Sequence, residues 1–191
     1  MAKQYHISEV GEFLHPWFNK PDTEFNDDGL FHTKLIVAGP QAQSMVEKIE
    51  AAAQAAFDEF TDEMTPAQKK GWSIYLPFEH QLDDEGNETG NYVFTFKQNA
   101  KIKDKDVKIE IRNAADKIID EQIWSGSEGR ILYTARPIKV TSSKKAGVRL
   151  DFFKVQVTKL VKGSKGFGVV QGGYGTEDQD SSDTVSNEED Y

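Results

Sequence analysis

Tyr92, Phe94 and Phe96 alternate with Val93, Thr95 and Lys97, and Val107, Ile109 and Ile111 alternate with Lys108, Glu110 and Arg112. A period of two is the repeat of a strand with one buried face. Residues 31–37, 130–140 and 148–161 add three more strands, separated by turns of Gly, Asp, Asn, Ser and Lys such as residues 141–147. Residues 41–60 follow another period: Met45, Val46, Ile49, Ala52, Ala53, Ala56, Phe57 and Phe60 recur three and four apart, the apolar stripe of a helix. Pro40 ahead of it and Pro66 behind it agree with those limits. At about 1.5 Å per residue this helix is about 30 Å long, enough to cover one end of a small barrel. The pattern predicts a mainly β fold of about five strands with one substantial inserted helix. An OB-fold barrel is the leading reading, because closure removes exposed sheet edges; a sandwich with an appended helix gives a similar string of elements.

The alternation stops near residue 162. Gly163, Gly166, Gly168, Gly172, Gly173 and Gly175 then mark a linker, since glycine loses much entropy on ordering. Residues 177–191 hold seven carboxylates, no base and little apolar surface beyond Val185 and Tyr191, too little to fold alone. The expected division is a folded domain over residues 1–162, a linker over 163–176 and a disordered acidic tail over 177–191.

Charge changes the picture more than composition does. The net charge of −9 argues against a polyanionic partner only if it is spread evenly. Residues 1–94 carry 6 basic and 17 acidic side chains, residues 95–176 carry 17 and 8, and the tail carries none and 7. A basic body with an acidic arm is a sequence-level sign of a nucleic-acid surface. The chain has no cysteine, and its four histidines are too far apart for ligand spacing, so neither a disulfide framework nor a metal site is expected. No cofactor is implied. No apolar run reaches the roughly 18 residues of a membrane span, and residues 1–10 lack the regions of a secretory signal, so the expected setting is cytosolic.

Within the basic stretch, aromatics lie among the cations, the combination a single strand requires: lysine and arginine follow the phosphates while flat rings stack on unpaired bases. The candidate cations are Lys97, Lys101, Lys103 and Arg112 on or between the second and third strands, and Arg130, Arg136 and Lys139 along the fourth. Lys144, Lys145 and Arg149 form a basic hairpin tip, and Lys154 lies on the last strand. The candidate rings are Tyr92, Phe94, Trp124, Tyr133 and Phe153. Most aromatics of a small barrel belong to its core, and Phe94, Phe96 and Phe152 read first as packing residues. Catalysis finds no support. Asp83-Asp84-Glu85 lie in a solvated turn rather than an apolar pocket, and Gly126-Ser127-Glu128-Gly129 lacks the strand-to-helix setting of a nucleophile elbow.

Several short identities, in order, resemble the single-stranded DNA-binding proteins of short-tailed, T-seven-like bacteriophages. They are Met1-Ala2-Lys3, Lys20-Pro21-Asp22, residues 29–37, Gln43-x-Met45-Val46, Thr95-Phe96-Lys97, residues 129–137, the glycine-rich linker and the acidic tail ending in an aromatic residue. The resemblance implies an OB-fold dimer in the cytoplasm of the infected host that coats single strands during replication, recombination and repair and promotes annealing. It also implies a tail that docks on the phage DNA polymerase and helicase-primase. Lys97 matches a family lysine at the DNA surface. Asn99 and Ile138 stand where family aromatics are expected, which moves the stacking candidates to Tyr133, Trp124 or Phe153.

The tail suggests a mechanism of its own. Tethered at an effective concentration of about a millimolar, its carboxylates compete with phosphates for the basic surface. DNA then frees Glu177, Asp178, Asp180, Asp183, Glu188, Glu189, Asp190 and Tyr191 for a partner. The alternative reading is an acidic DNA mimic, residues 1–94 imitating a phosphate surface and inhibiting a nucleic-acid enzyme.

Overall fold

The computed structural model describes residues 4–24 and 26–163. Its strands, in chain order, are β1 (His6–Ile7), β2 (Gly11–Asp22), β3 (Leu30–Val37), β4 (Ser73–Tyr75), β5 (Phe78–Leu82) and β6 (Glu88–Asn99). These are followed by β7 (Lys101–Ile102), β8 (Lys105–Asp106), β9 (Glu110–Arg112), β10 (Glu128–Val140) and β11 (Lys145–Lys159). Helix α1 (Gly39–Thr61) lies between β3 and β6, with a single-turn α2 (Pro66–Lys69) after it.

β2, β3, β6, β11 and β10 hydrogen-bond in that order, and β10 returns to β2, which closes a ring of five strands. Only β6 and β11 run parallel within the ring. Numbered along the chain, the ring order is 1-2-3-5-4-1, the partly open Greek-key barrel of an OB-fold. The closing seam is short, pairing Glu12 with Glu128 and Gly11 with Gly129. At both glycines a Cβ would collide with a backbone carbonyl, that of Ile36 at Gly11 and that of Gln156 at Gly129, so the seam closes only where side chains are absent.

Two sequence expectations are corrected. Residues 107–111 are not a barrel strand: only Glu110–Arg112 is extended, and it pairs outside the ring with Lys154–Gln156 of β11. The missing ring member is β2, whose period is broken from within. His15 has φ +48°, Pro16 follows it, and the β2–β3 register shifts between Leu14 and Trp17. That irregularity changes the parity of the strand and buries both Phe13 and Phe18, five positions apart.

Inward side chains form one core in which aromatic rings meet edge to face. Phe18 lies 5.2 Å from Phe13 and 5.8 Å from Phe152, and Phe96 lies 5.4 Å from Tyr133. Helix α1 starts with Pro40 in its first turn, where the missing N–H costs nothing. It buries Met45, Val46, Ile49, Ala53 and Ala56 against that inward face. Its exposed side carries Glu47, Glu50, Asp58 and Glu59.

Tyr133 gives the core a pH signature. Burial pushes its phenol up from 10.0 to about 12, because the ionised form loses its hydration there. The folded state therefore holds this proton more tightly than the unfolded chain does. Its contribution is complete below pH 10 and disappears as pH rises toward about 12. Urea melts across this window should show stability falling, with the fall reduced in Tyr133→Phe.

Candidate nucleic-acid interface

Residues opposite one another in a sheet share a face. The register places Trp17 of β2 beside His32 of β3, His32 beside Lys97 of β6, Lys97 beside Asp151 of β11, and Asp151 beside Thr134 of β10. This row crosses the outer face of the barrel. With strands about 4.8 Å apart, Trp17 and Asp151 stand about 14 Å from each other. Two residues along each strand, the same face presents Lys34, Thr95, Asn99, Arg149 and Arg136.

The centre of the row is an arginine clamp. Asp151 is the one buried carboxylate among the described residues, 8% exposed. Arg149 Nε donates to its Oδ1 at 2.5 Å and Arg136 Nε to its Oδ2 at 2.6 Å, while Arg149 Nη1 reaches Asn99 Oδ1 at 3.1 Å. A guanidinium has five donors in a fixed fork, so one carboxylate orients both arginines and leaves the group with a net charge of +1. Lys97, beside it, has no carboxylate within ion-pair distance among the described residues.

Pairing separates the other candidate cations. Lys101 is bound to Asp28 at 3.2 Å, Lys154 to Glu110 at 3.0 Å, and Arg112 to Glu110 at 2.6 Å. Arg112 and then Lys154 hold the Glu110 carboxyl below the usual carboxylate range. Arg130 donates to Gln156 Oε1 at 2.8 Å and shares with Arg112 and Lys154 a shallow concavity of 320 Å³ at the far end of β10 and β11. Lys103 is at the exposed turn between β7 and β8. Lys144 occupies the left-handed tip between β10 and β11, flanked by Lys139, whose Nζ lies 5.2 Å from the Trp72 ring, and by Lys145. Against the sequence expectation, Arg149 is not at that tip but four residues into β11, on the outer face beside the central row.

The aromatic candidates divide by strand parity. Phe94 and Tyr133 are inside the barrel, 0% and 3% exposed, and offer no face to a base, which corrects their assignment as stacking rings. Tyr92 has the same inward parity as Phe94 and packs against Phe78 and His80. Phe153 is half-buried at the bulge opposite Leu132 and Tyr133, edge-on to the exposed Tyr5 at 5.9 Å. Trp124 is exposed in the segment before β10. Sequence reasoning missed Trp17, His32, Lys34 and Tyr5; the alternation of β3, which sets His32 and Lys34 opposite Phe31 and Thr33, carried the signal for two of them. The tail residues Glu177, Asp178, Asp180, Asp183, Glu188, Glu189, Asp190 and Tyr191 lie outside the described residues.

Catalytic arrangements stay unsupported. Ser127 is buried, with Oγ accepting from the backbone N–H of Val161. The Asp83 carboxylate is used within its own turn, accepting from the N–H groups of Asn87 and Glu85, and the Asn87 bond above all holds its carboxyl low. Among the described residues no cluster of three His, Asp or Glu could hold a metal, and no helix is long and apolar enough to cross a membrane.

OB-folds bind oligonucleotides on the face of their second and third strands and with the loops between strands 1 and 2 and between strands 4 and 5. Here that face is β3 and β6 with Lys97 at its centre, and the second loop is the lysine-bearing tip, so fold and site together define an oligonucleotide-binding OB-fold protein. The family model described as Single-stranded DNA-binding protein, Bacteriophage T7, matches residues 13–160, and the chain belongs to that family. Its structure is similar to the crystal structure of gp2.5, a single-stranded DNA-binding protein encoded by bacteriophage T7, with a TM-score of 0.72 and 22% identity, covering 92% of this chain and 100% of that one. It is also similar to the single-stranded DNA-binding protein from bacteriophage Enc34 in complex with single-stranded DNA. The TM-score there is 0.59 with 9% identity, covering 83% of this chain and 88% of that one. No curated protein sequence gives a significant match.

Proposed function

We propose that the chain binds single-stranded DNA without sequence preference across the outer face of β3, β6, β11 and β10, and has no catalytic role. The observation that carries this reading is the outer face along the central row, where Lys97, Arg149 and Arg136 follow one another on β6, β11 and β10, with the exposed Trp17 at its β2 end. The tip lysines Lys139, Lys144 and Lys145 would close over the strand. Arg130, Arg112 and Lys154 would extend the path along β10 and β11, and Lys101 and Lys103 would flank it. Stacking on rings together with phosphate contact suits any base.

In this reading residues 1–162 are the binding domain, residues 163–176 a linker and residues 177–191 an acidic arm that competes with DNA. Once displaced, the arm recruits replication partners, the phage polymerase and helicase-primase being those the family resemblance suggests. The same resemblance supports a homodimer that anneals strands in the host cytoplasm.

Fluorescence anisotropy of a labelled oligothymidine tests this, comparing the full chain with a version ending at Gly175 over a range of salt. A binder neutralising about 4 to 6 phosphates gives a log-log slope of about −3 to −4. Truncation is expected to tighten binding and abolish capture of the partner. If neither version binds, the DNA-mimic reading takes its place.

A further inference from the structure

We propose that Trp17 and Trp124 flank a socket that takes one unpaired nucleobase at the β2 end of the strand path. This inference rests on the single-strand reading and names a subsite within it.

Both indoles are displayed rather than packed away, Trp17 36% and Trp124 49% exposed. Both line one concavity of 490 Å³, within the range of small-ligand sites, with Phe18 and Ile123 at its floor and Lys20 at its rim. The floor is core: Phe18 and Ile123 are each 1% exposed. A flat, apolar, two-ring socket with a cation at its edge fits a nucleotide, whose base stacks while its phosphate meets the ammonium.

The walls are fixed before any ligand arrives. The segment carrying Trp124 has no regular structure, yet it is tied to β2 by bonds at both ends. Ser125 Oγ accepts from His15 N at 2.9 Å, Asn19 Nδ2 donates to Glu121 O at 3.1 Å, and Gly126 N donates to Phe13 O at 3.0 Å. Trp17 is backed by His32, ring centroids 6.0 Å apart, and His32 Nε2 is 3.1 Å from Asp22 Oδ2. The Asp22 carboxyl is held low first by the N–H of Glu24 and then by His32. Gly163 lies against the other indole so closely that a Cβ there would collide with the Trp124 ring. Rings held this way lose little freedom when a base arrives, so more of the stacking energy appears as affinity.

The socket continues the central row. Trp17 pairs with His32 and His32 with Lys97, so a strand crossing the barrel from the arginine clamp comes next to the two tryptophans. A duplex keeps its bases stacked and paired and has none to place there. The socket thus favours single over double strands, independently of the charge of the face.

The experiment uses the full chain and three ligands: oligothymidine, an abasic oligonucleotide of equal length, and a duplex. Trp17→Ala and Trp124→Ala are each expected to weaken oligothymidine binding about 5- to 150-fold, the range for removing one stacking partner, with the salt slope unchanged. Neither should alter the weaker binding of the abasic strand. Trp17→Phe and Trp124→Phe, which keep a ring and the packing, are expected to retain most affinity. Unchanged affinity for oligothymidine in the alanine variants would overturn the socket while leaving the charged face intact. Loss of salt-dependent binding in the parent itself would overturn both.

Discussion

Arg149→Glu is expected to lower affinity for oligothymidine about 100-fold at low salt and to reduce the steepness of its salt dependence by about 1.4. The size follows from the clamp. The parent group of Arg136, Arg149 and Asp151 carries +1; the variant carries −1, with two carboxylates left to one guanidinium. Each phosphate contact on a single strand contributes about 0.7 to the slope, so a change of two charges on the path removes about twice that. Asp151→Asn is the opposing control: it keeps the shape, raises the charge by one and should tighten binding several-fold. Anisotropy titrations at several salt concentrations measure both. Parallel salt lines for parent and Arg149→Glu would place the strand elsewhere.

The largest effect on stability is expected from Phe152→Ala. Its ring is 0% exposed and meets Phe18 and Phe96 edge to face at 5.8 and 6.5 Å, at the point where β11 pairs through Phe152 with Tyr133 of β10. Truncating a buried phenylalanine costs about 3–5 kcal/mol, the lost transfer energy plus that of the cavity. A domain of this size has about 5–15 kcal/mol in all. The urea midpoint should fall accordingly with an unchanged m-value, and saturating oligothymidine should restore part of the loss by mass action. A loss below about 1 kcal/mol would mean that the core refills the cavity.

Helix α1 was legible because its stripe is long and undisturbed: residues 41–60 were expected and Gly39–Thr61 is observed. β3 and β6 were legible for the same reason, and β10 and β11 were legible as strands although a bulge shifts their register between Leu132 and Tyr133. β2 was not, because the sequence signals that carry parity are interrupted by His15, Pro16 and Pro21, and with β2 went Trp17 and the edge of the site. The site itself was legible as a composition but not as a surface. Tyr133 and Arg136 are three positions apart on one strand, yet one points inward and the other out. Parity alone would have separated them, since Ile131 and Tyr133 alternate with Arg130 and Leu132. Phe152 and Phe153 needed more, because a bulge decides which of the two faces outward. The clamp was beyond reach, since nothing local predicts that Asp151 joins arginines from two strands.

The exposed residues of α1 include Glu47, Glu50, Asp58 and Glu59 with Lys48 among them, and none of these carboxylates belongs to the central row. A strand lying on that row would meet cations, while the chain as a whole carries a net charge of −9. On the proposed strand path, coating would not neutralise the polymer into an insoluble salt, as simple polycations do, because each bound chain brings its own net charge of −9 with it. Neighbouring coated segments go on repelling each other beyond contact range and attract basic surfaces as bare DNA does, so a filament of such molecules would stay dispersed without any device dedicated to keeping it so.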